Sequence, residues 1–253
     1  MRLQDYLQSP AFFRSLFPHF VFDMAFNAGL LEQMSVNPWF ASLPLSEQQT
    51  MLSESELVRL SPGECLFRRG DTPAAFCGLV NGRLKVSTLR EDGKEAILVV
   101  LEPGNWFGQA SILTGLPRAH NVTALEPAGV LTIKPAVFEI LMQRYTFVRA
   151  IAVLESMHAN LLYQMIEDAT LHSTRARVAR RLLRLAYGDA TMALDSRADI
   201  PVSQDVLAMM LGITRQTLAL ELKVMAARGA VALRYGHIEI VSAKILRTFE
   251  EYD

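Results

Sequence analysis

The run DIPVSQDVLAMMLGITRQTLALELKVMAARGAVALRYGHIEIV, Asp199 to Val241, decides the architecture of this chain. Its apolar spacing predicts a helix from Val202 to Leu211, with Ser203 as N-cap and Val206, Leu207, Met210 and Leu211 facing a core. Gly212 marks a turn and Ile213 a buried anchor. Thr214 then caps a second helix whose inner face is Leu218, Leu222 and Met225, and Gly229 stops it. Two short β runs, AVALR and HIEIV, flank a turn at Tyr235-Gly236. The order is helix, turn, helix, wing.

Such a turn sets the second helix steeply against the first, so that its leading residues can enter a major groove. Those residues are Arg215, Gln216 and Thr217. Arg pairs bidentately with guanine, Gln with adenine, and Thr reaches phosphate or a thymine methyl. Ser203 and Gln204 on the first helix, Thr214 at the cap, and Arg234 and His237 in the wing complete the candidate DNA contacts. Double-stranded DNA is the expected partner.

The remainder of the chain bounds that reading. With 253 residues, half of them hydrophobic, it has room for a full core and two domains. A net charge of −1 excludes a globally basic nucleic-acid binder, so DNA contact must come from a local basic surface. Cys65 and Cys77 supply neither a disulfide framework nor a zinc pattern, which fits a reducing cytoplasm. Near the N-terminus, Phe13, Phe17 (or Leu16), Phe20, Met24 and Ala28 recur at helical spacing. They predict an amphipathic helix packed on its own domain or a partner subunit. The segment is too short to span a membrane; a membrane-surface role is the alternative, against which its small basic charge counts.

From about Trp39 to Ile140 the sequence breaks into short apolar runs. Pro62-Gly63, Gly70-Asp71, Asn81-Gly82, Asp92-Gly93 and Pro103-Gly104 separate them, and the Asn-Gly and Asp-Gly pairs read as hairpin turns. This pattern predicts an antiparallel barrel or roll, with a ligand-free sandwich as the alternative. From Phe138 to His172 the period is helical. Phe147, Ala150 or Ile151, Leu154, Met157 or His158, Leu161 and Met165 make a stripe in a helix long enough to pair with a copy of itself or to lie along its own domain. A basic helix follows, capped by Ser173 or Thr174 and stopped at Gly188. Its Arg175, Arg177, Arg180, Arg181 and Arg184 read mostly as a solvated face.

Taken in order, GECLFRRGD, GLVNGRLKVSTLREDGKEAILVVLEPGNWFG, LTGLPRAHNVTA and VSQDVLAMMLGITRQTLALELKVM resemble the Crp–Fnr superfamily of bacterial transcription regulators, over roughly Trp39 to Val241. The resemblance implies an α+β chain with an antiparallel, cyclic-nucleotide-binding-like β-roll, a long dimerisation helix and a C-terminal winged helix–turn–helix. Placed on this sequence, these are the roll over 39–144, the dimerisation helix over 145–172 and the winged helix over 173–253, preceded by the amphipathic helical extension over 1–38 read from its own spacing. It further implies a homodimer on a pseudo-palindromic operator, with RNA polymerase as a partner.

The same resemblance places an effector pocket at Gly108, Gln109, Ala110, Arg118, Ala119, Leu162 and Tyr163. Members that bind cyclic nucleotides carry Gly-Glu-Leu where this chain has Gly108-Gln109-Ala110, and Arg-Ser where it has Arg118-Ala119. Gln109 is a weaker acceptor than a carboxylate, and Ala119 has no hydroxyl. Leu162-Tyr163 stand near a polar adenine-facing pair. These departures argue against ordinary cyclic AMP binding and leave the effector open. Arg118 has two readings, a phosphate or carboxylate anchor, or a structural arginine bonding the roll's own carbonyls. Haem would need axial ligands such as His120 and His158, and two cysteines cannot ligate an iron–sulfur cluster.

The recognition helix departs as well. Many members read Arg-Glu-Thr-Val-x-Arg; here Gln216 and Leu220 replace the Glu and the second Arg, which implies a divergent operator or weaker affinity. The rival function is a small-molecule-binding or scaffold protein whose winged helix no longer reads DNA. No nucleophile–base pair, metal cluster or phosphate-binding loop is visible, so the sequence gives no support for an enzyme.

Overall fold

The computed structural model describes residues 29–187, 198–234 and 236–250. The expectations for Phe13 to Ala28, Gly188 and Tyr235 lie outside these residues.

Among the described residues, eight strands build the roll: β1 (Ser55–Leu60), β2 (Cys65–Phe67), β3 (Phe76–Asn81), β4 (Leu84–Leu89), β5 (Glu95–Leu101), β6 (Trp106–Phe107), β7 (Asn121–Ala124) and β8 (Ala128–Ile133). They pair antiparallel in two four-stranded sheets ordered β1-β8-β3-β6 and β2-β7-β4-β5. The continuous apolar run of β3 follows from burial on both faces. Cys77 and Leu79 enter the core between the sheets, while Phe76 and Val80 face a second core beneath the helices. Gly78 shares that second face because a Cβ there would come within 2.9 Å of the Trp106 ring.

Asp92-Gly93 turns β4 back onto β5 as expected, with Gly93 at φ 83°. Asn81-Gly82 does not make a hairpin. β3 and β4 belong to different sheets, and Gly82 carries the chain from one to the other past Pro127, whose carbonyl oxygen would sit 2.4 Å from a Cβ. An Asn-Gly pair supplies positive φ, and whether the next run folds back or crosses over depends on where its apolar face finds a partner.

The strand reading from Trp39 is also corrected. Helical residues 29–34, α1 (Pro38–Ala41) and α2 (Leu45–Ser53) precede β1. Asn37 caps α1 by accepting from the Trp39 and Phe40 backbone N–H groups, and Pro38 sits at the first turn. These helices press Trp39 and Phe40 onto the sheet, where Phe40 stacks on Trp106 with ring centroids 5.4 Å apart. The cluster runs on through Phe76, Phe138 and Phe147.

Helix α3 (Gln109–Thr114) interrupts the roll, and α4 (Pro135–Met142) closes it. The 27-residue α5 (Tyr145–Leu171) follows after a break at Gln143–Arg144. The first half of the α5 stripe packs against the roll of its own chain. Phe147, Ile151 and Leu154 join the core that holds Trp39 and Phe40, and the Trp39 indole donates to the Ala150 carbonyl at 2.6 Å.

The C-terminal unit comprises α6 (Thr174–Tyr187), β9 (Asp199–Ile200), α7 (Gln204–Leu211), α8 (Arg215–Ala227), β10 (Val231–Arg234), β11 (His237–Ile240) and α9 (Ala243–Arg247). Ser173 caps α6 through the Ala176 N–H. The wing gains a third strand, β9, in the order β10-β11-β9; two residues are too few to show a period. The core around Leu182, Leu207, Leu218, Leu222 and Ile238 also takes in Ile97 and Val100 of β5, against which α7 lies.

Most of the arginines of α6 are held by partners, although Arg175 stays exposed. Arg175 binds Glu221, Arg177 donates to the Leu211 carbonyl at the end of α7, and Arg181 is buried. Arg180 and Arg184 both grip Asp168 near the end of α5, at 2.6 and 2.5 Å. Burial alone would raise the Asp168 carboxyl pKa, but hydrogen bonds and charge from Arg184 and then Arg180 outweigh it and hold it below the usual carboxylate value. This cluster fixes the joint at His172–Ser173.

Candidate nucleic-acid interface and effector pocket

Helix α8 owes its exposed face to a sharply defined inner one. Leu218, Leu222 and Met225 are fully buried, so the residues opposite must face solvent. Thr214 caps the helix by accepting from the Thr217 N–H, and Gly212, at φ 66°, ends α7 with the turn between them. Arg215 and Gln216 stand exposed at the leading end. Arg215 lies 3.4 Å from Asp205, a loose and exposed ion pair that a phosphate or guanine could displace at little cost. Lys223, exposed two turns on, joins this face although the sequence reading did not nominate it.

Several nominated residues are occupied with holding the motif together. Ser203 caps α7 through the Val206 N–H, and Gln204 opens that helix half-buried. The Thr217 hydroxyl lies 2.8 Å from that of Thr214. In the wing, Arg234 pairs with Glu239, and His237, opposite it in the ladder, lies 3.5 Å from Asp199. The structure therefore brings Arg215, Gln216 and Lys223 together on one open face, with Ser203, Thr214 and Thr217 beneath as its frame.

Of the effector positions, Gln109 and Arg118 are buried and bonded to groups of the chain itself. Arg118 is 3% exposed between exposed neighbours Pro117 and Ala119. Its Nη1 donates to the Gly108 carbonyl at 2.6 Å and its Nη2 to the Ala75 carbonyl at 2.5 Å, while the guanidinium lies 4.2 Å over the Phe67 ring. Burial pulls its pKa down, with Cys77 and Asp71 acting in the opposite direction. Burial likewise pushes the Cys77 thiol up to about 12, against the pull of Arg118, so it is a neutral core residue. Gly108 needs its φ of 91° and its missing side chain, because a Cβ would meet Arg118 Nη1 at 3.0 Å. Of the two readings of Arg118, the structural one describes its contacts.

Gln109 is buried and turned toward the long helix, donating to Glu155 Oε1 at 2.6 Å with His158 Nδ1 at 3.3 Å. Ala110 and Ala119 are exposed. Leu162 and Tyr163 point to solvent, 56% and 71% exposed, so the helix residues that reach α3 are Glu155 and His158 instead. As placed, Arg118 is bonded to two carbonyls, position 119 offers no hydroxyl, and Gln109 is bonded to α5. His120 bonds Thr88 and has its pKa lowered first by burial and then by Arg69. Among the described residues, no group of three or more His, Cys, Asp or Glu side chains could hold a metal ion. Nor is any described helix long and apolar enough to cross a membrane.

Family models match in the same order as these units. Residues 57–145 match the cyclic nucleotide-binding domain and residues 176–249 the Crp-like helix-turn-helix domain. This chain belongs to the Crp–Fnr family of regulators. It is 25% identical to the "Cyclic AMP receptor protein" of Thermus thermophilus over 84% of this chain and 96% of that one. It is 24% identical to the "Nitrogen fixation regulation protein FixK" of Bradyrhizobium diazoefficiens, over 79% and 84% of the two chains. The FixK2 structure from Bradyrhizobium japonicum shares the fold with a TM-score of 0.70 at 16% identity, covering 79% of this chain and 98% of that one. Family membership assigns the roll and the winged helix, while the side chains of this Crp–Fnr member decide what either can bind.

Proposed function

We propose that this Crp–Fnr regulator acts as a homodimer on a pseudo-palindromic operator and does so without a cyclic nucleotide in the roll. The observation that carries the reading is the open face of α8, where Arg215, Gln216 and Lys223 are exposed on a helix held rigidly from behind. Dimerisation is supported by a second stripe on α5, one residue on from the buried one and so about 100° around the helix axis. Val148, Ala152, Glu155, Ala159, Leu162 and Ile166 follow alternating steps of four and three, with Leu162 56% and Ile166 60% exposed. Ligand independence is supported by the commitment of Arg118 to two carbonyls and of Gln109 to Glu155, which joins roll to helix within one chain. In this role the protein works in the cytoplasm, where operator and RNA polymerase meet. The exposure of Arg215 and Gln216 speaks against a scaffold that has given up DNA.

The test is selection of bound sequences from random DNA, with and without cyclic mononucleotides. A two-fold-related site selected equally in both conditions is expected, with affinity falling steeply as salt rises because phosphate contacts release counterions. Arg215→Ala should weaken the selected site by about 1–3 kcal/mol, roughly 5- to 150-fold. Selection only in the presence of a cyclic nucleotide would refute the ligand-free reading.

A further inference from the structure

Leu220 is the one large apolar side chain on the groove-facing side of α8, and it is 64% exposed. At about 100° per residue it lies about 40° around the axis from Gln216, and the inner residues Leu218, Leu222 and Met225 project from the opposite side. Its neighbours on that face are Gln216 one turn before and Lys223 one turn after, with small Ala219 and Ala227 flanking. The small residues let the helix approach the floor of the groove. Glu221, next along the helix, is held away by Arg175 at 2.6 Å.

A leucine brought against base edges meets mostly polar groups. The O6 and N7 of guanine, the amino group of cytosine and the N6 and N7 of adenine would each lose water with no hydrogen bond in return. The thymine 5-methyl group alone offers an apolar contact. We infer that Leu220 is a specificity-determining residue that reads a thymine methyl in each half-site. The rise from Gln216 to Leu220 is about 6 Å, so this thymine lies within about two base-pair steps of the base that Gln216 meets. The inference rests on the DNA-binding reading above and adds what that face selects.

The experiment replaces thymine by deoxyuridine, position by position, in the selected operator, removing only the methyl group. One position per half-site should cost about fourfold in affinity, corresponding to roughly 0.8 kcal/mol for one buried methyl-sized group, and both together about fifteenfold. In Leu220→Ala the thymine and deoxyuridine operators should bind equally, with unchanged thermal stability because the side chain is exposed. Uniform tolerance of deoxyuridine by the unaltered protein would overturn the inference, as would an undiminished deoxyuridine penalty in Leu220→Ala. If no operator is selected at all, the DNA-binding reading itself fails, an outcome distinct from either.

Discussion

Replacing Arg118 by Met separates the two roles an arginine can play at this place in the roll. Met keeps an apolar stem against Phe67 but removes both donors, leaving the Gly108 and Ala75 carbonyls without the partners they have at 2.6 and 2.5 Å. Each orphaned buried acceptor costs about 1–3 kcal/mol. Loss of the cation over the Phe67 ring, 4.2 Å away, adds about 0.5–2 kcal/mol. Relief of the arginine's own desolvation offsets part of this, so a net loss of about 2–4 kcal/mol is expected. Urea titration followed by tryptophan fluorescence reads it directly, because the chain's two tryptophans, Trp39 and Trp106, are both buried in the aromatic cluster on the roll. Protein concentration must be held constant, since dimerisation shifts the midpoint. An unchanged midpoint, combined with cyclic-nucleotide binding that disappears in the variant, would refute the structural assignment and restore the anchor.

Asp168→Asn leaves Arg180 and Arg184 without their shared carboxylate and should cost about 2–3 kcal/mol, less than a fully buried pair because the arginines are partly exposed. Hydrogen exchange across 165–185 should then rise while the roll stays protected. The depressed Asp168 pKa means that this stabilisation is present above the unfolded carboxyl value of about 4 and is lost as pH falls through the lower folded value. An acid-sensitive step missing from the Asn variant would show it, and identical acid profiles would count against the clamp. Ile166→Lys removes two isoleucines from a symmetric seam, worth about 3 kcal/mol or more together, so dimer dissociation should rise about 100-fold by sedimentation. An unaltered dimer would place the interface elsewhere.

How far the sequence could be read depends on how local each interaction is. Thr214, Ser203 and Gly212 act on backbone groups within four residues, and all three occupy the caps and turn that their residue types require. Asp92-Gly93 closes its hairpin for the same reason, whereas the outcome at Asn81-Gly82 was decided by which sheet had room for β4. Helices α1 and α2 were overlooked because short apolar segments that cover a sheet look like strands in isolation. The α6 arginines read as a solvated face since their partners, Asp168, Leu211 and Glu221, come from three other helices.

The sequence by itself determined the order of roll, long helix and winged helix, and the identity of the residues at the head of the recognition helix. Caps, turn residues and periodicity are short-range signals that survive without knowledge of the partner surface. Only the tertiary structure decided the fate of FGQASILTGLPRAHNV, Phe107 to Val122. Whether Arg118 faces a ligand or its own backbone depends on carbonyls 10 and 43 residues away, and the role of Gln109 on a carboxylate 46 residues away. Likewise, the packing of Trp39, Phe40 and Phe138 chose the face of α5 that the roll would bury. Long-range burial assigns such groups, because a buried donor or apolar face is stabilised only by what the folded chain brings against it.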